Sequence, residues 1–578
     1  MAGQLRLRAQ KYDAREESSY AVDVLVDHGV PNLSNLFTYG VPSKMGNIQK
    51  FSLVSVPFKG RNCLGLVLGK SKVATENLKQ ITKSIFEKQL ITEEQFDLVQ
   101  LSLKRWGGFE WDYLKFFLPK GIGRNATRAE ILEFVARKIN QPELKIGSSY
   151  EDLLELIHKR VTPFSQTLIV VPNQKIFHYL KTKLNYEVVA FNSQLTQTER
   201  NSIYLEIMSG KPKVIIANRS GIFLPLAKGA EIILVDDQDF ANYETRFPHW
   251  NARDLALLNS KNFSTTFYSH SPSLELLRLV QTGWMKMNTA PRKRTSFTFS
   301  NSKSSWQRIV KEGISKGPIL VLTPDRGYVN SLVCINCRNI YRCPCGGKLV
   351  IREANGRREC FQCQSLVQNS ACDECGETRL LSYRKGISKV VEEMGKQFPG
   401  TKIIQGESVS GLGKRAIVVS TYSQIPIYEY QAIIALNYER FAYQGNLRGA
   451  ELARKIIFDL IALGPKDVYL EIPSDSYFSQ TALKNDPVKA AVEELKEREE
   501  LNLPPYSRVA KFDCDIKFSD TLRDQTFISE VQYSKGRAVI KFPLVDGEKF
   551  IIFCMSVLKI RSLKKLKPWK LEVDPLEI

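Results

Sequence analysis

Eight of the eleven cysteines fall between Cys334 and Cys375, and this spacing constrains the chain more than any other feature. It reads Cys334-x2-Cys337, Cys343-x-Cys345, Cys360-x2-Cys363 and Cys372-x2-Cys375, four close pairs in one short segment. A C-x2-C knuckle turns the backbone so that two thiolates face one cation, and two knuckles complete a tetrahedral shell. Eight thiolates therefore predict two metal sites. Gly346, Gly347, Gly356 and Gly376 suit the tight turns between them. The segment has no histidine, so every ligand is sulfur and no coordination position stays open. That predicts two structural Zn2+ ions that supply much of the segment's folding energy. An iron–sulfur cluster is the competing reading, and the long loops between knuckles suit zinc ribbons better. Spacing leaves the pairing open: the pairs bind in sequence, or the outer pairs share one ion and the inner pairs the other. The single spacer in Cys343/Cys345 is shorter than usual. Cys63, Cys514 and Cys554 lie in apolar surroundings and read as buried small hydrophobes.

The chain around this cluster has 578 residues, enough for about four domains at roughly 150 residues each. Its 43% hydrophobic and 25% charged content is globular and excludes a collagenous, coiled-coil or wholly disordered chain. No window approaches the ~20 apolar residues of a membrane span. The first twenty residues have no apolar core between their charges, so no secretory leader is expected. Clustered cysteines without a leader predict a cytoplasmic protein with no membrane partner. Lys+Arg exceeds Asp+Glu by 82 to 61, for a net charge of +21, which favours a polyanionic partner.

Hydrophobic periodicity divides the chain. Alternating runs at Tyr20–Asp27, Phe51–Phe58 and Cys63–Leu68 predict a β-rich domain over 20–82. Residues 83–145 read as helical, with a winged-helix-like domain expected and the periodic stretch at Gln95–Trp106. Short β-branched runs at Thr167–Pro172, Val214–Ala217, Glu231–Asp236 and Ser264–Tyr268 predict buried parallel strands of one α/β lobe, 146–290. Ile319–Thr323, Ile403–Ile404, Ala416–Ser420, Ala432–Leu436 and Val468–Ile472 predict a second lobe, 291–333 and 376–485. The zinc insertion, 334–375, follows the first strand of that set. A helix at Val488–Glu499 and alternating strands beyond Pro504-Pro505 predict an α+β domain over 486–578. The fold class is multidomain α/β.

Two α/β lobes and a basic chain suggest a nucleic-acid motor, and the chemical test is a phosphate loop. That loop is G-x4-G-K-[ST], whose backbone amides, lysine and hydroxyl hold phosphates and magnesium. The one Gly-Lys-Ser triplet, Gly69-Lys70-Ser71, has Leu64 where the first glycine belongs. The stretch from Lys145 to Gln166 carries the single glycine Gly147 and no Gly-Lys-Ser/Thr. No nucleotide cradle is visible, so ATP and Mg2+ are not expected as cofactors. His28, His158, His178, His249 and His270 are scattered and form no catalytic spacing.

In family order, the motifs resemble those of the PriA family of replication restart proteins. Phe37-Thr-Tyr-Gly-Val-Pro42 resembles the family's F-D-Y-x-x-P, and Ala217-Asn-Arg-Ser-Gly-Ile-Phe-Leu-Pro225 its G-T-R-S-A-x-F-x-P. Val56-Pro-Phe58 and the strand to Gly69 resemble its next strand pair, and Tyr243 with Arg253-Asp254 its Y…R-D. Ser269-His-Ser-Pro-Ser-Leu-Glu275 resembles S-A-T-P-S-L-E, Arg326-Gly-Tyr328 precedes the cysteines, and Glu494-Leu-Lys-Glu-Arg498 precedes Pro504-Pro505. The departures are equally specific. The D-E-E-H box is Asp236-Asp-Gln-Asp239, the G-T-Q motif is Ser420-Thr-Tyr-Ser, and the arginine-bearing G-R-A-G-R is Leu460-Ile-Ala-Leu-Gly464. Asp236 keeps the carboxylate that would hold magnesium, and Asp237 stands where the family has its water-orienting Glu.

The resemblance implies a fork-recognition and primosome-assembly factor built on two degenerate helicase-like lobes, without ATPase activity, because phosphate binding and charge stabilisation are lost together. It implies Phe37, Lys59, Gly60 and Lys79 as contacts to the 3′ end of a nascent strand, with Thr38 where the family has Asp. It favours the nested metal pairing, Cys334, Cys337, Cys372 and Cys375 on one ion and Cys343, Cys345, Cys360 and Cys363 on the other. Implied partners are forked and single-stranded DNA, primosome and replicative-helicase-loading proteins, and single-stranded DNA-binding protein. The competing readings are an ATP-dependent 3′-5′ helicase with divergent motifs and a general zinc-ribbon nucleic-acid-binding protein.

Overall fold

The computed structural model describes the chain except residues 1–17, 31–32, 34, 123–138, 212, 301–302, 355, 368–370, 407–411, 414, 443–446 and 578. The first seventeen residues and the helical reading of 123–138 therefore lie outside the described residues. Among those that are described, no helix is long and apolar enough to cross a membrane.

Five antiparallel strands open the chain: β1 (Ser18–Val26), β2 (Leu36–Pro42), β3 (Leu53–Phe58), β4 (Arg61–Lys70) and β5 (Lys83–Phe86), in the order β2-β1-β4-β3-β5. The alternating runs bury Val22, Val24, Val54, Val56 and Val67 on one face, as a two-residue period requires. The helical reading of 83 onward is corrected at its start, because Lys83–Phe86 pairs with β3. Helix α1 (Glu93–Trp106) begins at Thr92, whose side chain forms a capping box with Gln95, and stops at Gly107, where φ is 79°. The short α2 (Glu110–Leu114) follows, and its Trp111 donates to the Leu25 carbonyl at 3.1 Å.

The first lobe is a seven-stranded parallel sheet: β6 (Glu143–Ile146), β7 (Thr167–Val170), β8 (Val188–Phe191), β9 (Val214–Ala217), β10 (Glu231–Val235), β11 (Ser264–Ser269) and β12 (Lys286–Thr289). Their order is β12-β6-β11-β10-β7-β9-β8. Helices α3 (Tyr150–Arg160), α4 (Gln174–Lys183), α5 (Gln197–Met208), α6 (Ala252–Asn259) and α7 (Leu274–Gln281) make the crossovers. Sequence patterning shows four of these strands. It misses β6, β8 and β12. Glu-Leu-Lys-Ile and Lys-Met-Asn-Thr carry charges because β12 is an edge and β6 its neighbour, whereas β7, β9 and β10 are buried along their whole length. The consequence is functional: the first strand of the lobe is β6, not β7, so the phosphate-loop position is Gly147-Ser148-Ser149, between β6 and α3.

The second lobe starts with β13 (Ser296–Phe299), α8 (Lys303–Gly313) and β14 (Ile319–Leu322). The cysteine module thus follows the second strand of its sheet, one later than patterning suggests. The module carries β15 (Val329–Cys334), β16 (Leu349–Val350), β17 (Glu359–Cys360) and β18 (Leu380–Lys385), with β15 paired to β18 and β16 to β17. The lobe resumes with α9 (Ile387–Gln397), β19 (Lys402–Gln405), β20 (Ala416–Ser420), β21 (Ala432–Ala435), α10 (Glu439–Ala442), α11 (Gly449–Ile461) and β22 (Asp467–Leu470). Its parallel order is β13-β22-β21-β14-β20-β19.

After α12 (Tyr477–Lys484) and α13 (Pro487–Glu500) comes a four-stranded antiparallel sheet. It contains β23 (Ser507–Asp513), β24 (Glu530–Ser534), β25 (Arg537–Pro543) and β26 (Leu571–Val573), with α14 (Ile516–Arg523) and α15 (Gly547–Leu563) against it. One continuous apolar core runs from Leu53 and Trp106 through Leu234 and Phe267 to Phe542 and Phe550. It joins both terminal domains to the first lobe. A second core contains Leu153, Ile169 and Ile176 from the first lobe and Leu320, Ile433 and Phe458 from the second. The multidomain α/β class read from the sequence is the one observed.

Candidate functional site

Three places carry chemistry. The first is the cysteine module. Local turns bring the eight sulfurs into two groups, Cys334, Cys337, Cys372 and Cys375, and Cys343, Cys345, Cys360 and Cys363, each with all Sγ atoms within 4.8 Å of one another. Cys334 and Cys375 are 3.5 Å apart, as are Cys337 and Cys372. In the second group Cys343–Cys363 is 3.6 Å and Cys345–Cys360 3.4 Å. Four sulfurs about 2.3 Å from a central zinc lie roughly 3.8 Å apart, so both groups fit a tetrahedral ion after slight expansion. Backbone amides of Asn336 and Gln362 donate to Cys334 and Cys360 at 3.4 Å, as they do to thiolates. A Cβ on Gly347 would sit 2.6 Å from the Cys360 sulfur, so only glycine leaves room for that knuckle. The short Cys343-x-Cys345 spacer is accommodated at this turn.

The second is the end of the N-terminal sheet. Phe37, half-buried on edge strand β2, packs edge-on to Phe58 at 5.3 Å between centroids and to His28 at 5.8 Å. His28 stacks on Phe58 at 4.7 Å. Lys59 and Gly60 form the β3–β4 turn with φ of 45° and 80°, and both are exposed. The Lys59 ammonium lies 5.9 Å from the Phe58 ring. Lys79 is exposed beside the same sheet, and its carbonyl accepts from Gly40 at 2.9 Å. The structure gathers Phe37, Lys59 and Gly60 around one aromatic cluster, to which Lys79 is joined through the backbone of β2. Sequence reading missed Asp23. It stands opposite Thr38 in the β1–β2 register and accepts its hydroxyl at 2.7 Å.

The third is the crevice at the carboxyl ends of the first lobe's strands, where open α/β sheets bind ligands. Its contents are side chains. A Cβ on Gly147 would collide with the Tyr268 hydroxyl. That hydroxyl donates to the Ser149 carbonyl at 2.5 Å. Arg292 donates to the carbonyls of Gly147 and His270 at 2.9 and 2.5 Å. Asp152 accepts from the backbone and hydroxyl of Ser148 at 2.6 and 2.8 Å, so a carboxylate holds the amide that a phosphate would need.

Asp236 turns the chain after β10 in a left-handed conformation, φ 57°, which Asp tolerates better than most residues. Its Oδ2 lies 2.9 Å from the ammonium of Lys455, on α11 of the other lobe. Lys455 also meets Asp459 at 2.5 Å and bonds the hydroxyl of Tyr422, which in turn bonds Asp459. Burial opposes the charge on Lys455, but Asp236 and Asp459 outweigh it and raise its pKa well above the ordinary value. Burial also pushes Asp236 up to about 7, against the pull of Lys455, while Asp459 is lowered because Lys455 and His270 overcome its own burial. The water-orienting position fares differently. Asp237 is 1% exposed and neither oxygen makes a well-formed hydrogen bond. Burial, only partly offset by Arg253 and Ser273, raises it to about 6.

The surviving motif residues are mostly internal struts. Arg219 pairs with Glu244, Arg253 with Asp254 and Glu275, and Tyr243 donates to Glu572 at 2.8 Å. Arg454 and Glu494 form a buried pair at 2.9 Å. Sequence reading did not find Lys455, Asp459 or Tyr422 as a set. The available signal was Lys455-x3-Asp459, an i,i+4 ion pair inside a helix most of whose residues are buried.

Two parallel α/β lobes, a cysteine module inserted in the second and antiparallel domains at both ends define a multidomain α/β protein whose interlobe crevice is filled. Residues 23–119 match the family model described as the PriA 3′DNA-binding domain. The chain is 26% identical to the probable replication restart protein PriA of Mycobacterium bovis, over 84% of this chain and 85% of that one. It is 21% identical to the replication restart protein PriA of Rickettsia conorii, over 90% and 95% respectively. Among solved structures it has a distant likeness to RecG bound to a three-way DNA junction, with a TM-score of 0.34 and 13% identity over 63% of this chain and 47% of that one. Over most of its length the chain is similar to proteins described as replication restart protein PriA.

Proposed function

We propose that the protein is a replication restart factor that binds abandoned DNA forks and promotes primosome assembly and reloading of the replicative helicase, without ATPase or helicase activity. The carrying observation is the ion pair of Asp236 with Lys455, alongside a DNA-binding domain match that remains intact. A motor needs Asp236 free for a metal–phosphate and a loop of amides to receive it. Here one is engaged by a lysine and the other capped by Asp152.

In this reading Phe37 packs against the terminal base or sugar, the Lys59–Gly60 turn and Lys79 meet the backbone, and affinity is salt-dependent and blind to sequence. Each cysteine group holds one structural zinc. Forked and single-stranded DNA, helicase-loading proteins and single-stranded DNA-binding protein are the partners, and the protein works at the nucleoid. The test uses zinc-loaded full-length protein and forks ending in a 3′-hydroxyl or a 3′-phosphate. Tight, 3′-hydroxyl-dependent binding with no ATP turnover is expected. Fork-stimulated hydrolysis overturns the reading.

A further inference from the structure

A lysine ammonium buried to 3% exposure between two carboxylates and a phenol needs a reason, because burying charges costs several kcal/mol unless each is compensated. Lys455 is compensated from both sides of the crevice. Asp459 lies on its own helix, and Asp236 belongs to the other lobe. The same helix and Arg448, the residue that caps its start, make further ties to the first lobe. Arg454 bonds the Ser271 hydroxyl and the Pro272 carbonyl, Arg448 pairs with Glu275 at 2.6 Å, and Glu451 accepts from the Leu274 amide at 3.4 Å. Arg292, in the segment that joins the two lobes, lies 4.9 Å from the Phe458 ring, and Lys175 of the first lobe lies 5.4 Å from the Tyr422 ring of the second. One face of α11 is thus a row of cross-lobe contacts, and Lys455 is the one whose partner would otherwise be a metal ligand.

We propose that Lys455 is a tethered cation: its ammonium takes, from the second lobe, the place at Asp236 that a divalent cation would occupy, and so fixes the two lobes in one closed arrangement. Asp236 and Asp459 are then the ligands of an internal ion that cannot leave. The lobes have no exchangeable ligand to open or close around, and they present DNA and protein partners with one rigid surface. The inference deepens the reading of a motorless chain and rests on it.

The test uses the full zinc-loaded chain and hydrogen exchange read by mass spectrometry. K455M removes the ammonium and keeps the bulk. Amides of the 147–150 turn and of α11 are expected to exchange about tenfold faster or more, because a buried pair has been broken on both sides, while zinc content and 3′-end binding stay unchanged. K455R, which keeps the charge, is expected to retain most of the protection. Mn2+ is then added as the probe. It should bind K455M, raise its melting temperature and slow exchange, and should do none of these for K455M/D236N or for the parent. Equal responses of K455M and K455M/D236N to Mn2+, or parent-like exchange in K455M, overturn the proposal. If K455M fails to fold, D236N decides: faster exchange on both sides of the crevice supports the tether, and parent-like exchange overturns it. ATP turnover by the parent would sink the motorless reading itself. A loose crevice without turnover would sink the tether alone.

Discussion

The hydroxyl of Thr38 donates to the carboxylate of Asp23 at 2.7 Å, across two neighbouring strands of the N-terminal sheet. The residue after Phe37 has no charge of its own, yet a carboxylate stands beside it. A carboxylate next to a terminal nucleotide accepts from a 3′-hydroxyl and repels a 3′-phosphate. D23N is therefore expected to reduce the preference for 3′-hydroxyl over 3′-phosphate ends by about tenfold, the worth of one charge-assisted hydrogen bond. Fluorescence anisotropy with the two ends measures it, and an unchanged ratio removes Asp23 from the site.

Phe37 and Lys59 should separate in their effects. F37A is expected to weaken 3′-end binding by about 1–3 kcal/mol, the usual worth of one aromatic stack, with the salt dependence unchanged. K59A is expected to lower the slope of log K against log salt by about one and leave end selectivity intact. A titration series in salt distinguishes the two. Identical behaviour of the variants would mean that the aromatic cluster is only core.

The two cysteine groups share no ligand, so they should lose metal one at a time. C334S is expected to retain one zinc per chain, as is C345S, and both should keep 3′-end affinity because the N-terminal sheet lies outside the module. Native mass spectrometry gives the count. Loss of both ions in either single variant would show that the groups are not independent.

Asp237 is a carboxylate in the wrong place. Its folded pKa, about 6, lies above the ordinary 3.8, so its contribution to stability is fully present below 3.8 and is lost as pH rises through 6. The difference amounts to something on the order of 3 kcal/mol. D237N removes the titration. Arg253 keeps Asp254 and Glu275 as partners. The variant is expected to melt several degrees higher than the parent at pH 8 and close to it at pH 4. A variant less stable than the parent at pH 8 would mean that Asp237 is an ion-pair partner rather than a liability.

Much of this was legible in the chain. The cysteine spacings announce two tetrahedral sulfur sites because a knuckle is a local turn. The β-branched runs announce parallel strands because a strand buried on both faces is almost wholly apolar. Glu143–Ile146 and Lys286–Thr289 escaped because their exposed faces break that pattern. Missing β6 hid where the phosphate loop belongs, although the absence of its lysine and glycines was plain.

The sequence by itself determined the clustering of eight sulfur ligands and the absence of a phosphate-loop motif, since each is written in residues close together along the chain. Only the tertiary structure decided what fills the crevice and where the N-terminal carboxylate sits. Lys455 and Asp236 belong to different lobes, and neither carries a local signal pointing to the other. They meet because two separately folded sheets share one apolar core, and the burial of that core, not any motif, sets the distance between their charges.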